Sequence, residues 1–506
     1  MQKNVILATI LSLLVIFAWY RFFIPHFSPP ITEMKKPPVL EKESAVPLPL
    51  PQELKPKIEK VEKEIPLDLE KKSIIFTTAG AGVKHWILKE KNETIDLVLG
   101  NKENNFFFAT LPELNYELLS KDERKIIFQA VTSENISIKK TYEFVDDPYF
   151  GYLDLEITNL ENKEKQFTFP LLNLGPGLGT DEKGLKENIR HLRPLGYRNK
   201  LVEKLKFNTY DGNWFWFGID NRYFLAALLP ETKVDMLIVE KVNQQKIPLL
   251  KINSNISLPA RSKINFRFRF YLGPKKYSDL KKYQLGLEKT VDFGLFAEIS
   301  KGAFYSMNWL YKVTGNYGLA IIILTLFLQI LLFPLTKKSF QASLSMKKMQ
   351  PLMDELKLKY KNDPKRFQAE LFNLYRTKKA NPFKGCLPMI LQIPIFWALF
   401  TTLQNAYELR GAKFILWIKD LSHPDTLFRI GNIPVNILPL LMGGLMLFQQ
   451  KLTTVTTDPT QKQMMYLMPI MFTFLFWNFP SGLVLYWFTS SLFSSLGQLY
   501  LLKASK

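Results

Sequence analysis

Cysteine is nearly absent: Cys386 stands alone among 506 residues, which excludes a disulfide scaffold and a cysteine-based zinc site. The four histidines, His26, His85, His191 and His423, are scattered without ligand spacing, so the chain reads as having no metal and no cofactor. A nucleotide loop is missing too. Gly175-Pro176-Gly177-Leu178-Gly179 lacks the Lys-Ser/Thr of a P-loop and the third glycine of a dinucleotide fingerprint, and reads as a turn. Acidic residues are scarce where apolar residues are dense. Residues 25–300 carry 42 basic and 38 acidic side chains, whereas the rest of the chain carries 25 and 8. The net charge of +21 therefore brackets apolar runs instead of forming a general basic surface, which signals membrane topology and no DNA partner.

Six runs are apolar enough to be membrane spans. Val5–Tyr20 is followed by no small-residue cleavage site, so residues 1–24 read as an uncleaved signal anchor in preference to a cleaved signal peptide. Gly318–Leu335, Leu387–Asn405, Ile433–Phe448, Met464–Phe479 and Gly482–Leu502 contain no Asp, Glu, Lys or Arg. Taken with their flanks, they place the second to sixth spans at 318–335, 386–406, 433–449, 464–479 and 482–502. The segment 336–385 holds thirteen Lys/Arg against four Asp/Glu and is assigned to the cytoplasm. Both termini and the loop 450–463 are then cytoplasmic, while residues 25–300 and the loop 407–432 are periplasmic.

Residues 25–69 are rich in Pro, Lys and Glu and read as a linker. Residues 70–300 alternate with period two, as in Ile264, Phe266, Phe268 and Phe270 between Asn265, Arg267 and Arg269, and predict a large antiparallel β-sandwich. Residues 301–317 form an amphipathic stretch for the outer membrane interface. The segment 336–385 reads as a helical hairpin, its second helix opened by Asp363-Pro364 as N-cap and first helical residue. Met346, Met349 and Met353 offer either an adaptable client-binding strip or packing between the two helices, and packing is the simpler account. Its lysines form a solvated face that is also suited to lipid headgroups or ribosomal RNA.

Uncharged polar residues lie inside the spans: Thr325 and Gln329, Gln392, Thr401 and Thr402, Thr473, and Thr489, Ser490, Ser491, Ser494 and Ser495. In hydrocarbon each needs a partner, so they should face inward, as glue between helices or as the lining of a hydrated cavity. Gln329 and Gln392 together favour the cavity. Prolines 334, 388, 394, 439 and 469, with Gly443-Gly444, point to kinked, closely packed helices.

Several motifs share one resemblance. Gly385–Trp397 (GCLPMILQIPIFW), Phe333-Pro334-Leu335-Thr336-Lys337, Gln350-Pro351 and Phe479–Trp487 (FPSGLVLYW) resemble, in order and spacing, the landmarks of the YidC/Oxa/Alb family of membrane-protein insertases. The resemblance is specific across Lys301–Leu502. It extends more weakly to the signal anchor, the linker and Trp214–Pro230, which are similar to Gram-negative-type members with a periplasmic β-supersandwich. It implies a polytopic α-helical membrane protein of six spans, a five-helix insertase core and a large exported all-β supersandwich domain.

The implied function is insertion and chaperoning of inner-membrane proteins without enzymatic chemistry, alone or with the Sec translocon and its accessory subunits. The groove is open to cytoplasm and lipid, and here Gln329, Gln392, Thr489 and Ser491 are its expected polar lining. Implied partners are nascent membrane-protein clients, the lipid bilayer and the ribosome through cytoplasmic loops. Only Lys503–Lys506 follow the last span, so ribosome contact is expected at the hairpin or at Gln449–Gln463. Members of the family usually carry arginine where the motif places Gln329, which puts electrostatic attraction of acidic clients in doubt. Two rival classes compete. A carbohydrate-binding or -modifying sandwich would need clustered carboxylates or histidines, and a transporter would show repeats or charged midplane residues. Neither is seen.

Overall fold

The structure is a computed structural model that describes residues 62–90, 93–99, 106–180, 185–242, 247–378, 383–431, 433–453 and 459–504. The expected signal anchor, and the linker up to residue 61, lie outside the described residues.

Alternating apolar residues build three antiparallel sheets in the first half of the chain. Glu64–Leu69, Lys72–Thr77, Val83–Glu90 and Glu93–Asp96 form one in sequence order. A nine-stranded sheet runs in space through Leu201–Lys204, Arg193–Arg198, Trp216–Asp220, Phe224–Pro230, Lys263–Pro274, Phe150–Asn159, Ile136–Phe144, Lys125–Val131 and Glu117–Lys121. The third sheet orders Thr209–Asp211, Met236–Val242, Ile247–Leu258 and Lys165–Leu174. One core joins all three, with Trp86, Tyr142, Phe169, Leu250, Phe268 and Phe270 fully or almost fully buried in it. Phe266, Phe268 and Phe270 point into this core, as their period of two requires, while Arg267 and Arg269 face out. Lys72 and Lys140 are buried as well, Lys72 over the Trp86 and Phe144 rings and Lys140 with its full complement of acceptors. The Lys140 ammonium donates to the Gly80 and Phe108 carbonyls and the Thr110 hydroxyl, using its three donors on three acceptors.

The strand Glu64–Leu69 lies in the expected linker. It forms the free edge of its sheet, where Pro66 is tolerated, and it buries Leu67 in the core. The Pro/Lys/Glu composition conceals a half-buried edge strand.

The helices are α1 (Leu185–His191), α2 (Tyr277–Lys282), α3 (Ala297–Thr314), α4 (Tyr317–Lys359), α5 (Pro364–Thr377), α6 (Phe383–Asn405), α7 (Ile437–Thr453), α8 (Pro459–Leu475) and α9 (Ser481–Ala504). The expected amphipathic stretch is α3. It buries Phe304 and Met307, leaves Trp309 and Val313 exposed, and ends at Gly315 in the left-handed region (φ 66°). Asn316 then caps α4 by accepting from the Gly318 and Leu319 amides. The expected second span and the first hairpin helix are one continuous helix, α4, with Pro334 and Pro351 inside it. Among the described residues it alone is both long and apolar enough to cross a bilayer by length and composition, and Ile437–Leu452 and Met465–Asn478 are shorter apolar helices. Asp363 caps α5 as expected, accepting from the Arg366 amide, with Pro364 as the first helical residue. The expected fourth span begins late. Ile433–Asn436 pairs with Thr426–Ile430 as a hairpin, and its β-branched, proline-containing run precedes α7. A Cβ at Gly443 would stand 2.0 Å from the Thr473 hydroxyl, so α7 and α8 touch where the sequence lacks a side chain.

The turn Asp220-Asn221-Arg222-Tyr223 joins the β-domain to the helices. Asp220 is fully buried and holds Arg193 at 2.9 Å and Lys275 at 2.6 Å. Burial pulls the Lys275 pKa down against the attraction of Asp220. His191 is pushed down to about 4 by burial and by the charges of Arg222, Arg193 and Lys275. Asp220 is therefore the counter-charge of a cationic cluster. Arg222 Nε donates to the Gln404 carbonyl at the end of α6 (2.8 Å). Just beyond, the Tyr407 hydroxyl donates to Glu90 (2.7 Å) and Arg410 pairs with Glu93 (2.9 Å). Between these two anchors lies Glu408, whose Oε1 is buried without a partner among the described residues. Burial raises its pKa to about 7.

Two outcomes are expected from this junction. Asp220→Asn leaves Lys275 buried without its carboxylate and should lower unfolding stability by about 3–5 kcal/mol, read from denaturant unfolding followed by tryptophan fluorescence. For Glu408 the folded pKa exceeds the unfolded one, so the folded state binds the extra proton. Stability should fall as pH rises from about 4.5 through about 7, by roughly 3 kcal/mol in all. Glu408→Gln should remove that pH dependence and raise stability at pH 8; an unchanged slope in the same unfolding measurement refutes the assignment.

Candidate functional site

Five of the hydroxyls inside the helices are satisfied locally. Thr325, Thr401, Thr402, Thr473 and Ser495 each donate to the carbonyl four residues earlier, at 2.5–2.9 Å, the usual way a helix hides a hydroxyl. Their donors are thereby spent within the helix, and Thr402 also reaches the Ser300 carbonyl of α3.

The glutamines behave differently, because three of them reach across to a neighbouring helix. Gln329 of α4 donates to the Ser490 hydroxyl at 2.7 Å. Gln392 of α6 donates to the Tyr486 hydroxyl at 3.1 Å, and Gln449 of α7 donates to the Ser494 hydroxyl at 3.0 Å. Within α9, Gln498 donates to the same Ser494 hydroxyl at 3.4 Å. Tyr486, Ser490, Ser494 and Gln498 recur every four residues and so lie one above another on a single face of α9. With a rise of ~1.5 Å per residue, this polar stripe is about 18 Å long. Three helices thus each contribute one glutamine to the same uncharged ladder.

Of the expected lining, Gln329 and Gln392 stand on this ladder. Thr489 and Ser491 are buried on either side of Ser490 and bond to neither glutamine. The ladder also contains Tyr486, Ser490, Gln449, Ser494 and Gln498, which the expected lining omits. The four-residue spacing of Tyr486, Ser490, Ser494 and Gln498 is the signal in the sequence that points to them, and Gln449 carries no such signal. An amide carries two donors and two acceptor lone pairs, so one bond to Ser490 leaves Gln329 with capacity for others. Gln498 Oε1 is buried and accepts no hydrogen bond among the described residues. No charged side chain takes part in any of these hydrogen bonds.

Around the ladder the surface is apolar. Phe327, Ile330 and Leu331 of α4 are each more than 60% exposed, as are Leu467 and Phe474 of α8. Patches of this kind mark contact with lipid or an apolar partner. Beyond the bundle, Met349 is buried and the Met353 sulfur accepts from the Tyr375 hydroxyl of α5 (4.0 Å), while Met346 is half-buried. Met353 thus packs the two hairpin helices together. Among the described residues no group of three or more His, Cys, Asp or Glu is placed to hold a metal ion.

Comparison with known proteins covers both halves. Residues 95–306 match the family described as YidC periplasmic domain, and residues 309–506 match the family described as 60Kd inner membrane protein. The membrane protein insertase YidC of Endomicrobium trichonymphae is 44% identical over 518 residues, covering 99% of this chain and 98% of its own length. That of Geotalea daltonii is 32% identical over 536 residues, covering 100% and 99%. Among solved structures, an active YidC insertase with its first transmembrane domain resolved is 21% identical and covers 88% of this chain and 94% of its own, with a TM-score of 0.41. Identity of this extent over the full length, with the two domain families matched in order, shows that the chain belongs to the YidC family of membrane protein insertases.

Proposed function

We propose that the chain is a membrane protein insertase and chaperone of the inner membrane, acting on nascent membrane-protein clients and performing no covalent chemistry. The observation that carries this reading is the uncharged ladder on α9, a continuous hydrogen-bonding stripe with lipid-suited surface beside it. The barrier to insertion is the transfer of a client's polar segment through hydrocarbon, where a charged side chain costs at least ~2.5–3.5 kcal/mol. Amide and hydroxyl groups that can exchange their mutual hydrogen bonds for bonds to the client or to water lower that barrier without ATP. An apolar client segment can then leave along α4 and α8.

The finer features belong to the same proposal. They comprise six spans with both termini cytoplasmic, a five-helix core, a β-supersandwich on the periplasmic side, and α3 lying in the outer interface. Cooperation with the Sec translocon and ribosome contact through α5 or the loop after α7 complete the reading. Gln329 makes this groove neutral, so selection of clients rests on hydrogen bonding in place of attraction between charges.

Gln329→Leu leaves Ser490 without its partner. Insertion of clients with acidic translocated tails into reconstituted vesicles should then fall roughly three- to fifteenfold, the range of an interhelical hydrogen bond in a bilayer. Gln329→Arg should be tolerated. Equal insertion by Gln329→Leu and the unaltered chain would remove Gln329 from the groove. Ser490→Ala breaks the same bond, so in the same assay the double variant should lose little more than Gln329→Leu alone.

A further inference from the structure

The outer face of the nine-stranded sheet carries a half-open trough of about 620 Å³, far from the α9 ladder in sequence and fold, beside the hairpin that joins Arg193–Arg198 to Leu201–Lys204. The volume is that of a small-ligand or short-peptide site. Its floor and lip are aromatic: Trp214 is buried, whereas Phe215 is 54% exposed. Its charges are unequal in their commitments. Arg198 stacks over Trp214 at 4.2 Å and is held by Glu203 through two hydrogen bonds, at 3.1 and 3.3 Å. Glu231 pairs with Arg267 (3.3 Å). Arg269 lies over the Phe150 ring at 4.2 Å, and its buried Nε has no hydrogen-bond partner among the described residues. Arg269 lines the trough and forms no ion pair among the described residues, so its guanidinium is matched to an incoming carboxylate.

We propose that this trough binds an extended acidic polypeptide segment, a carboxylate side chain meeting Arg269 while a neighbouring aromatic or aliphatic side chain lies on Trp214 and Phe215. A polypeptide fits better than a small anion for two reasons on this surface. Leu201–Lys204 is the end strand of its sheet and has no further strand partner among the described residues, which suits the addition of an extended segment next to the trough. Leu201 on that strand is 66% exposed, continuing the apolar lip beyond Phe215. The site goes beyond the insertase reading and does not rest on it, since it concerns binding at the β-domain.

The test is fluorescence anisotropy with the full chain in nanodiscs and a labelled pentapeptide alternating Glu and Phe, against the same peptide with Gln for Glu. The Glu peptide should bind at least about tenfold more tightly, as expected for a charge-assisted hydrogen bond. Arg269→Gln should abolish that preference. Phe215→Glu changes an exposed side chain and should weaken both peptides by loss of the aromatic contact, and the Glu peptide further by repulsion, so that its preference shrinks. Equal affinity for the two peptides, or a preference that survives in both variants, overturns the proposal. Competition by inorganic phosphate at the same concentrations as the unlabelled peptide overturns the polypeptide assignment in favour of a small-anion site.

Discussion

The helical half of this protein is organised by one constraint: a polar group removed from water must find its partner within the protein. Five of the hydroxyls meet it by bonding one turn back along their own helix. Gln329, Gln392 and Gln449 meet it by crossing to a neighbour, the face of α9 bearing Tyr486, Ser490 and Ser494. Helix packing, the position of the polar stripe and the apolar surface around it follow from that requirement. The same bonds that hold the helices are weak enough to be exchanged, because each joins two neutral groups and is worth about 0.6 kcal/mol on average.

The β-domain obeys the complementary rule for charge. Two of its buried charged side chains, Lys140 and Asp220, are placed where they tie segments together. Lys140 gathers the carbonyls of Gly80 and Phe108 and the hydroxyl of Thr110 beneath the sheets. Asp220 gathers Arg193 and Lys275 at the turn whose next residue but one, Arg222, reaches the end of α6. From there Tyr407 and Arg410 return to Glu90 and Glu93. The two halves of the chain are thus joined by short polar contacts around a conformationally restricted turn, in which Asn221 accepts from the Tyr223 and Phe224 amides. Such a junction fixes the turn of the sheet against the C-terminal end of α6.

Much of the architecture is legible in local patterns of residues. Period-two alternation locates the strands, Asp363-Pro364 locates the start of α5, and the missing side chain at Gly443 marks a close helix contact. Pattern and fold part company where two physical signals compete. In Glu64–Leu69, composition speaks for a linker while a buried Leu67 makes an edge strand. In Ile433–Asn436 an apolar run serves a hairpin instead of the start of a helix. The junction has no local signature, because Glu90, Glu93, Arg222, Tyr407 and Arg410 are ordinary polar residues until distant segments meet.

The sequence by itself determined that this chain has an alternating β half and an apolar helical half with uncharged polar residues inside its apolar runs, because composition and periodicity are local properties. Only the tertiary structure decided which of those polar residues face one another. Thr489, Ser490 and Ser491 are neighbours in the chain, yet rotation of about 100° per residue along α9 gives Ser490 alone to Gln329. A hydrogen bond depends on the direction of a side chain as well as its chemistry, and that direction is set by the packing of helices far apart in sequence.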